Sequence, residues 1–215
     1  MYRKLPLIAF IIFSLIDFFG IYLEKQWMVY LAKPMLMTTL FGYYYLNKKS
    51  DNLFFVLGLL FSLFGDLFLL GSGELYFILG LIFFLIAHVF YIIMVFKILL
   101  EIRLKDFMIA GIPYLLLFLI LINVLYDGLG SMKIPVIIYA MTISFLGVFS
   151  LLLFLQSRTK TSLLLLFGVL VFITSDTILA LNLFYEKQSF YPILIMTTYV
   201  MAQFLICKFV LNLNK

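Results

Sequence analysis

Two aspartates stand where carboxylates are costly. Asp66 lies within LLFSLFGDLFLL (59–70) and Asp176 within GVLVFITSDTILA (168–180), stretches that are otherwise almost all hydrocarbon. An ionisable side chain inside a membrane helix costs roughly 2.5–3.5 kcal/mol on insertion scales, so such residues are rare and face a cavity or a partner. Asp17, Lys33 and His88 fall in similar apolar stretches. Helical spacing gives several of them polar neighbours. Ser62 precedes Asp66 by one turn, Tyr91 follows His88 by one turn, and Tyr199 and Gln203 form an i,i+4 pair. Two carboxylates, an imidazole, an ammonium, two phenols, an amide and a hydroxyl make a set suited to acid–base chemistry on a lipid-like molecule.

Each residue also has a purely structural alternative. Asp66 and Asp176 would serve as buried ties between helices, and His88 as a packing histidine. Lys33 would snorkel to the interface. Tyr91 and Tyr199 would belong to an interfacial belt, and Ser62 would bond its own helix backbone. Asp17 would reach headgroup water from the end of its helix.

The elements that must position these groups follow from composition. Of the 215 residues, 66% are hydrophobic and 12% charged, and the mean hydropathy is +1.23. A soluble domain is about one-quarter charged, so this chain has too little polar surface for a water-facing globule. The reading is an all-α, polytopic membrane protein: a bundle of eight transmembrane helices forming a single transmembrane domain over 1–215. The expected spans are 5–23, 28–47, 53–71, 75–99, 106–125, 133–155, 162–184 and 190–212. Each is long enough for a hydrocarbon core of ~30 Å at ~1.5 Å per residue. The first span follows Arg3-Lys4 but leads to Asp17-Phe18-Phe19-Gly20 without a small-x-small cleavage site, and is expected to be retained.

Orientation follows from the basic residues. Arg3, Lys4, Lys48, Lys49, Lys97, Arg103, Lys105, Arg158, Lys160, Lys208 and Lys215 fall on one side, against Lys25, Lys133 and Lys187 on the other. The positive-inside rule then puts both termini in the cytoplasm. The expected setting is a bacterial inner (cell) membrane. On these spans Asp66 and Asp176 lie ~20 Å from the cytoplasmic ends of their helices, at depths that overlap that of His88. The net charge of +5 is a topology signal and gives no case for nucleic acid.

The chain also echoes itself. GLLFSLFGDLFLL (58–70) aligns with GVLVFITSDTILA (168–180), and YFILGLIFFLIAH (76–88) with YPILIMTTYVMAQ (191–203). Helices three and four thus pair with seven and eight in the same orientation, as in a possible parallel four-helix repeat about an axis along the membrane normal.

Several chemistries lack their residues. One His and a distant Cys207 do not make a zinc site, no G-x-S-x-G elbow is present, and no phosphate-binding glycine loop appears. No cofactor is expected. Two carboxylates and one histidine leave metal-free acid–base hydrolysis or proton-coupled transport.

The ordered set KP (33–34), SLFGD (62–66), FFLIAHVFY (83–91), SD (175–176) and YVMAQ (199–203) resembles the YhhN-like lysoplasmalogenase family of integral membrane proteins. The resemblance runs from helix two through helix eight. It implies hydrolysis of the vinyl ether bond of lysoplasmalogens, with a lysophospholipid and water as reactants and membrane lipid as surroundings. The products would be a fatty aldehyde and glycerophosphocholine or glycerophosphoethanolamine. Vinyl ether hydrolysis needs an acid to protonate carbon, a negative charge beside the oxocarbenium ion, and a base for water. One carboxyl held neutral and one ionised supply all three. On this reading Asp66 and Asp176 are the catalytic pair, in either order, with His88 positioning one of them or carrying its proton. Lys33 would take the lipid phosphate or pair with an aspartate. Ser62, Tyr91, Tyr199 and Gln203 would orient substrate or water. The rival reading is a proton-coupled secondary transporter of a small or lipid-like solute, and a third is a lipid binder without turnover.

Overall fold

A computed structural model describes residues 2–213; Lys215, counted above in the charge bias, lies outside them. The described residues are helical with short connections. A 3-10 turn at Tyr2–Lys4 leads into α1 (Leu5–Tyr22), followed by α2 (Gln26–Asn47), α3 (Leu53–Phe68), α4 (Glu74–Phe96) and α5 (Leu104–Leu125). A second 3-10 turn at Gly130–Met132 precedes α6 (Lys133–Ser157), α7 (Lys160–Phe184) and α8 (Tyr191–Asn212). The eight-helix bundle expected from the sequence is present.

Local chemistry sets the helix ends. Asn52 Oδ1 accepts the Phe55 N–H at 3.0 Å and starts α3. Thr159 and Ser162 form a capping box at the start of α7. Prolines open α1 and α8, where the missing N–H leaves no bond unmade. Pro34 lies inside α2, where its ring removes the hydrogen bond to the Tyr30 carbonyl directly beside Lys33.

Six helices have the length and hydropathy of a membrane span: α1 with its preceding turn, and α4 to α8. The other two differ for visible reasons. α2 carries Lys33, Thr38, Thr39 and Tyr43-Tyr44-Tyr45. α3 has 16 residues, about 24 Å, and stops at Phe68 rather than at 71. Beyond it the Leu70 and Gly71 N–H groups turn back to Leu67 and Phe68 carbonyls in tight three-residue turns. The chain then bends through Gly71 and Gly73, the latter at φ +101°, into α4. The α3–α4 bend is therefore expected below the membrane surface, close above Asp66.

Six helices close a ring. α2 packs on α3, α3 on α4, α4 on α6, α6 on α7, α7 on α8, and α8 returns to α2. α1 braces α2 and α8 from outside, and α5 braces α6 and α7. Their outward faces are apolar and exposed, as at Ile112, Leu116 and Ile120 of α5, which suits lipid contact. The inner core runs through Leu36, Leu40, Tyr44, Phe55, Leu59, Tyr91, Val169, Phe172 and Ile206.

The internal echo has a packing counterpart. A methyl placed on Gly58 would meet Tyr91, and one on Gly168 would meet Ile206; both contacts join the positions that the alignment equates. Gly65 approaches Gly80 as Ser175 approaches Ile195. Across the ring, Ser62 meets Gln203 at 2.9 Å, and the equated pair Phe172 and His88 meet with ring centroids 4.6 Å apart. Phe84 and Tyr199, which occupy equated positions, touch each other edge to face at 5.7 Å. A residue touches its own counterpart only beside a two-fold axis, so the pseudo-axis of the repeat passes between these rings.

Candidate active site

A cavity of about 500 Å³ occupies the ring, at the end that carries the α1–α2, α3–α4, α5–α6 and α7–α8 connections. Position along the helices orders its lining. Near the connections lie Gly71, Gly73, Glu74 and Ser131. Deeper walls are apolar: Phe77, Leu81 and Phe84 of α4, Val136 of α6, Leu179 of α7 and Met196 of α8. At the floor stand Asp66, Asp176, Tyr139 and Tyr199, with Lys33 of α2 on one wall.

Each aspartate is fixed by one tyrosine from another helix. Tyr199 Oη donates to Asp66 Oδ2 at 2.7 Å. Tyr139 Oη donates to Asp176 Oδ2 at 2.6 Å. Both distances lie within the ordinary range of O–H···O hydrogen bonds. Among the described residues the second oxygen of each carboxylate has no hydrogen-bond donor. Asp66 is 3% exposed, whereas Asp176 is half-buried on the cavity wall. The tyrosine rings are held in turn, Tyr199 by Phe84 and Phe172 and Tyr139 by His88.

The aspartates differ in their electrostatic neighbours. Lys33, on α2 beside α3, lies within electrostatic reach of Asp66 and also of Asp17. Asp176 has Tyr139 of α6 beside it, its one hydrogen-bond partner among the described residues. Among the described residues the Lys33 ammonium makes no ion pair within 4.0 Å. Asp17 is buried, and neither of its oxygens has a hydrogen-bond partner among the described residues.

The sequence-expected set divides into two layers. Asp66, Asp176, Lys33 and Tyr199 line the cavity. Ser62, Tyr91 and Gln203 lie beneath it in one buried chain: Tyr91 Oη donates to Gln203 Oε1 at 2.8 Å, and Gln203 Nε2 donates to Ser62 Oγ at 2.9 Å. His88 is fully buried one turn below Phe84, against Phe172 and Tyr139. Neither of its ring nitrogens makes a hydrogen bond among the described residues, so the bonds to the carboxylates come from the two tyrosines.

Tyr139, Glu74 and Ser131 are cavity residues that the sequence did not single out, and Ser175, quoted only within the SD pair, also lines the cavity. Tyr139 is one of 14 tyrosines, and nothing in its own helix marks it. Among the described residues no three His, Cys, Asp or Glu side chains gather as a metal site. The floor can donate a proton, accept one and stabilise a cation between two carboxylates. The walls can hold a hydrocarbon chain.

Fold and site together define an integral membrane protein of helical type whose apolar cavity ends in a tyrosine-fixed pair of carboxylates. The model of the YhhN family matches residues 28–210; the chain belongs to this family. The match covers the whole six-helix ring and leaves α1 outside. No curated protein and no solved structure matches the chain.

Proposed function

We propose that the protein is a lysoplasmalogenase-like ether hydrolase, cleaving the vinyl ether of a lysoplasmalogen to a fatty aldehyde and glycerophosphocholine or glycerophosphoethanolamine. The observation that carries this reading is the floor of the cavity. Two aspartates, each held by one tyrosine, stand at the floor of an apolar-walled cavity that can take the vinyl ether of a single-chain lipid, and Lys33 stands on its wall for the phosphate. Family membership agrees with a hydrolase acting in the membrane.

The unequal surroundings assign the two acids. Lys33 favours negative charge on Asp66, whereas Asp176 has only the neutral Tyr139 and is the proton donor. Asp176 gives its proton to the alkene carbon distal to oxygen, leaving an oxocarbenium ion beside Asp66. Water adds to the cation and passes a proton to Asp66, forming the hemiacetal. Asp176 then takes the hemiacetal hydroxyl proton while Asp66 returns its proton to the glycerol oxygen. The C–O bond breaks, aldehyde and glycerol hydroxyl leave, and both aspartates regain their starting states. The tyrosine hydroxyls hold each carboxylate through these changes. Tyr91, Gln203 and Ser62 fix Tyr199 from below, and His88 backs Tyr139. The floor lies toward the outer leaflet of a bacterial inner membrane, with the termini cytoplasmic.

The test is fatty-aldehyde release by the purified protein from lysoplasmenylcholine and lysoplasmenylethanolamine. Asp66→Asn and Asp176→Asn each remove most turnover and leave the fold intact. Near-normal rates in both variants would exclude the dyad. The pseudo-two-fold ring is the observation that favours the rival carrier. Proton-dependent uptake of unaltered solute into proteoliposomes would decide for it. The buried Ser62–Gln203–Tyr91 chain below the floor argues against an open path through the ring.

A further inference from the structure

The cavity carries a second charged group, at its rim, that the hydrolytic steps do not use. Lys33 stands on the α2 wall. Glu74, the first residue of α4, lines the same cavity. A first-turn glutamate is ordinarily explained by the helix dipole alone. Here its side chain is tied to a different element. Ser131 Oγ, in the 3-10 turn before α6, donates to Glu74 Oε1 at 2.8 Å. Ser131 is itself a lining residue. The bond fixes the carboxylate at the mouth and leaves Oε2 free. Glu74 makes no ion pair among the described residues.

We propose that Glu74, held by Ser131, is an ammonium subsite that selects lysolipids with a zwitterionic headgroup. The proposal rests on the reading of the cavity as a lysolipid site and adds to it the residue that reads the headgroup. A lipid whose vinyl ether lies at the aspartate floor extends its glycerol, phosphate and headgroup from there toward the rim. A phosphate set against Lys33 leaves the terminal ammonium of ethanolamine or choline to a second, negative group, and Glu74 is the carboxylate on the rim. An anionic headgroup without an ammonium meets Glu74 as a like charge. The same pair of charges therefore favours one headgroup class and disfavours the other.

Binding of non-cleavable alkyl ether analogues tests the subsite without requiring turnover. The ligands are 1-O-alkyl-glycero-3-phosphoethanolamine, the phosphocholine, and the phosphate lacking an ammonium, titrated against the full-length protein in nanodiscs. The wild type is expected to prefer both zwitterions over the simple phosphate. Glu74→Gln loses about fivefold of that preference, the scale of an exposed ion pair, and Ser131→Ala loses a smaller part. Lys33→Met weakens all three ligands together, which separates a phosphate contact from an ammonium contact. An unchanged preference in Glu74→Gln overturns the subsite. A loss confined to the ethanolamine ligand would narrow the subsite to primary ammonium groups. Aldehyde release from alkenyl lipids, measured in parallel, keeps the two ideas apart. Headgroup preference without aldehyde would leave the subsite standing and remove the hydrolase. Aldehyde release with a preference indifferent to Glu74 would do the reverse.

Discussion

The assignment of acid and base is testable by removing one oxygen atom at a time. Tyr139→Phe and Tyr199→Phe each delete a hydroxyl that donates to one aspartate, at 2.6 Å and 2.7 Å. The rings remain, so the edge-to-face contacts with His88, Phe84 and Phe172 persist. On the proposed mechanism Asp176 gives up a proton in the first step and becomes anionic, so the Tyr139 bond would strengthen as the transition state forms. A hydrogen bond to a charged group is worth about 1.5–3 kcal/mol. At ~1.4 kcal/mol per tenfold in rate, its loss slows the step by about 10-fold to 150-fold. Asp66 begins ionised and becomes less anionic as it takes the water proton, so Tyr199→Phe removes no support that grows in that step. Initial rates of aldehyde release over a range of alkenyl lysolipid concentrations, with thermal unfolding as the folding control, should show kcat falling mainly in Tyr139→Phe. Equal losses would remove the assignment and leave the dyad. Rates within twofold of wild type in both folded variants would show that the tyrosines do not act on the carboxylates during turnover.

Lys33→Met should raise KM by roughly tenfold, the loss of a charge-assisted contact, and lower kcat as well because Asp66 loses its cation; a kinetic series that includes Lys33→Arg separates the two. Gly58→Ala places a methyl against the Tyr91 ring, so overpacking should cost about 1–3 kcal/mol in unfolding experiments in detergent. Gly111→Ala, with nothing within 4 Å of the new methyl, should instead stabilise α5 by up to ~1 kcal/mol; a matched destabilisation of the two would refute the packing argument. Cysteine placed at Lys187 should react with a membrane-impermeant maleimide in intact cells, and cysteine at Lys160 only after permeabilisation, while the buried Cys207 stays silent. The opposite pattern would invert the proposed topology.

The fold was legible because each helix is encoded locally. Apolar runs of nearly uniform length, broken by short polar turns, specify eight helices without reference to one another. α3 shows where local reading ends. The apolar run continues through Leu70, but the helix stops at Phe68, because Gly71 lies against Tyr76 and the chain bends there into α4. The site was legible in its costly residues. Asp66, Asp176 and Lys33 stand out against hydrocarbon, and the structure sets all three on one cavity. What remained hidden is whatever depends on partners across the ring. Tyr139 and Tyr199 each donate to one carboxylate, and the pairing of tyrosine with aspartate joins different helices, which no single helix records. His88 was conspicuous by type, but its place between Phe172 and Tyr139 is set by three helices and cannot be read from one.

The pseudo-symmetry of the ring bears on how the two acids differ. It places equivalent residues at similar depth, so Asp66 and Asp176 stand at matching positions of the two halves and line one cavity. Symmetry alone would give two identical acids, which is unsuited to chemistry that needs one group to donate while the other accepts. The structure breaks the symmetry at the neighbours. Beside Asp66 the ring helix α2 supplies Lys33, and beside Asp176 the corresponding helix α6 supplies Tyr139. Below them Ser62 with Gln203 forms a polar contact, and its counterpart, Phe172 with His88, a largely apolar one. The scaffold is doubled and the electrostatics are not: the cation sits on the Asp66 side, where the proposed mechanism keeps negative charge.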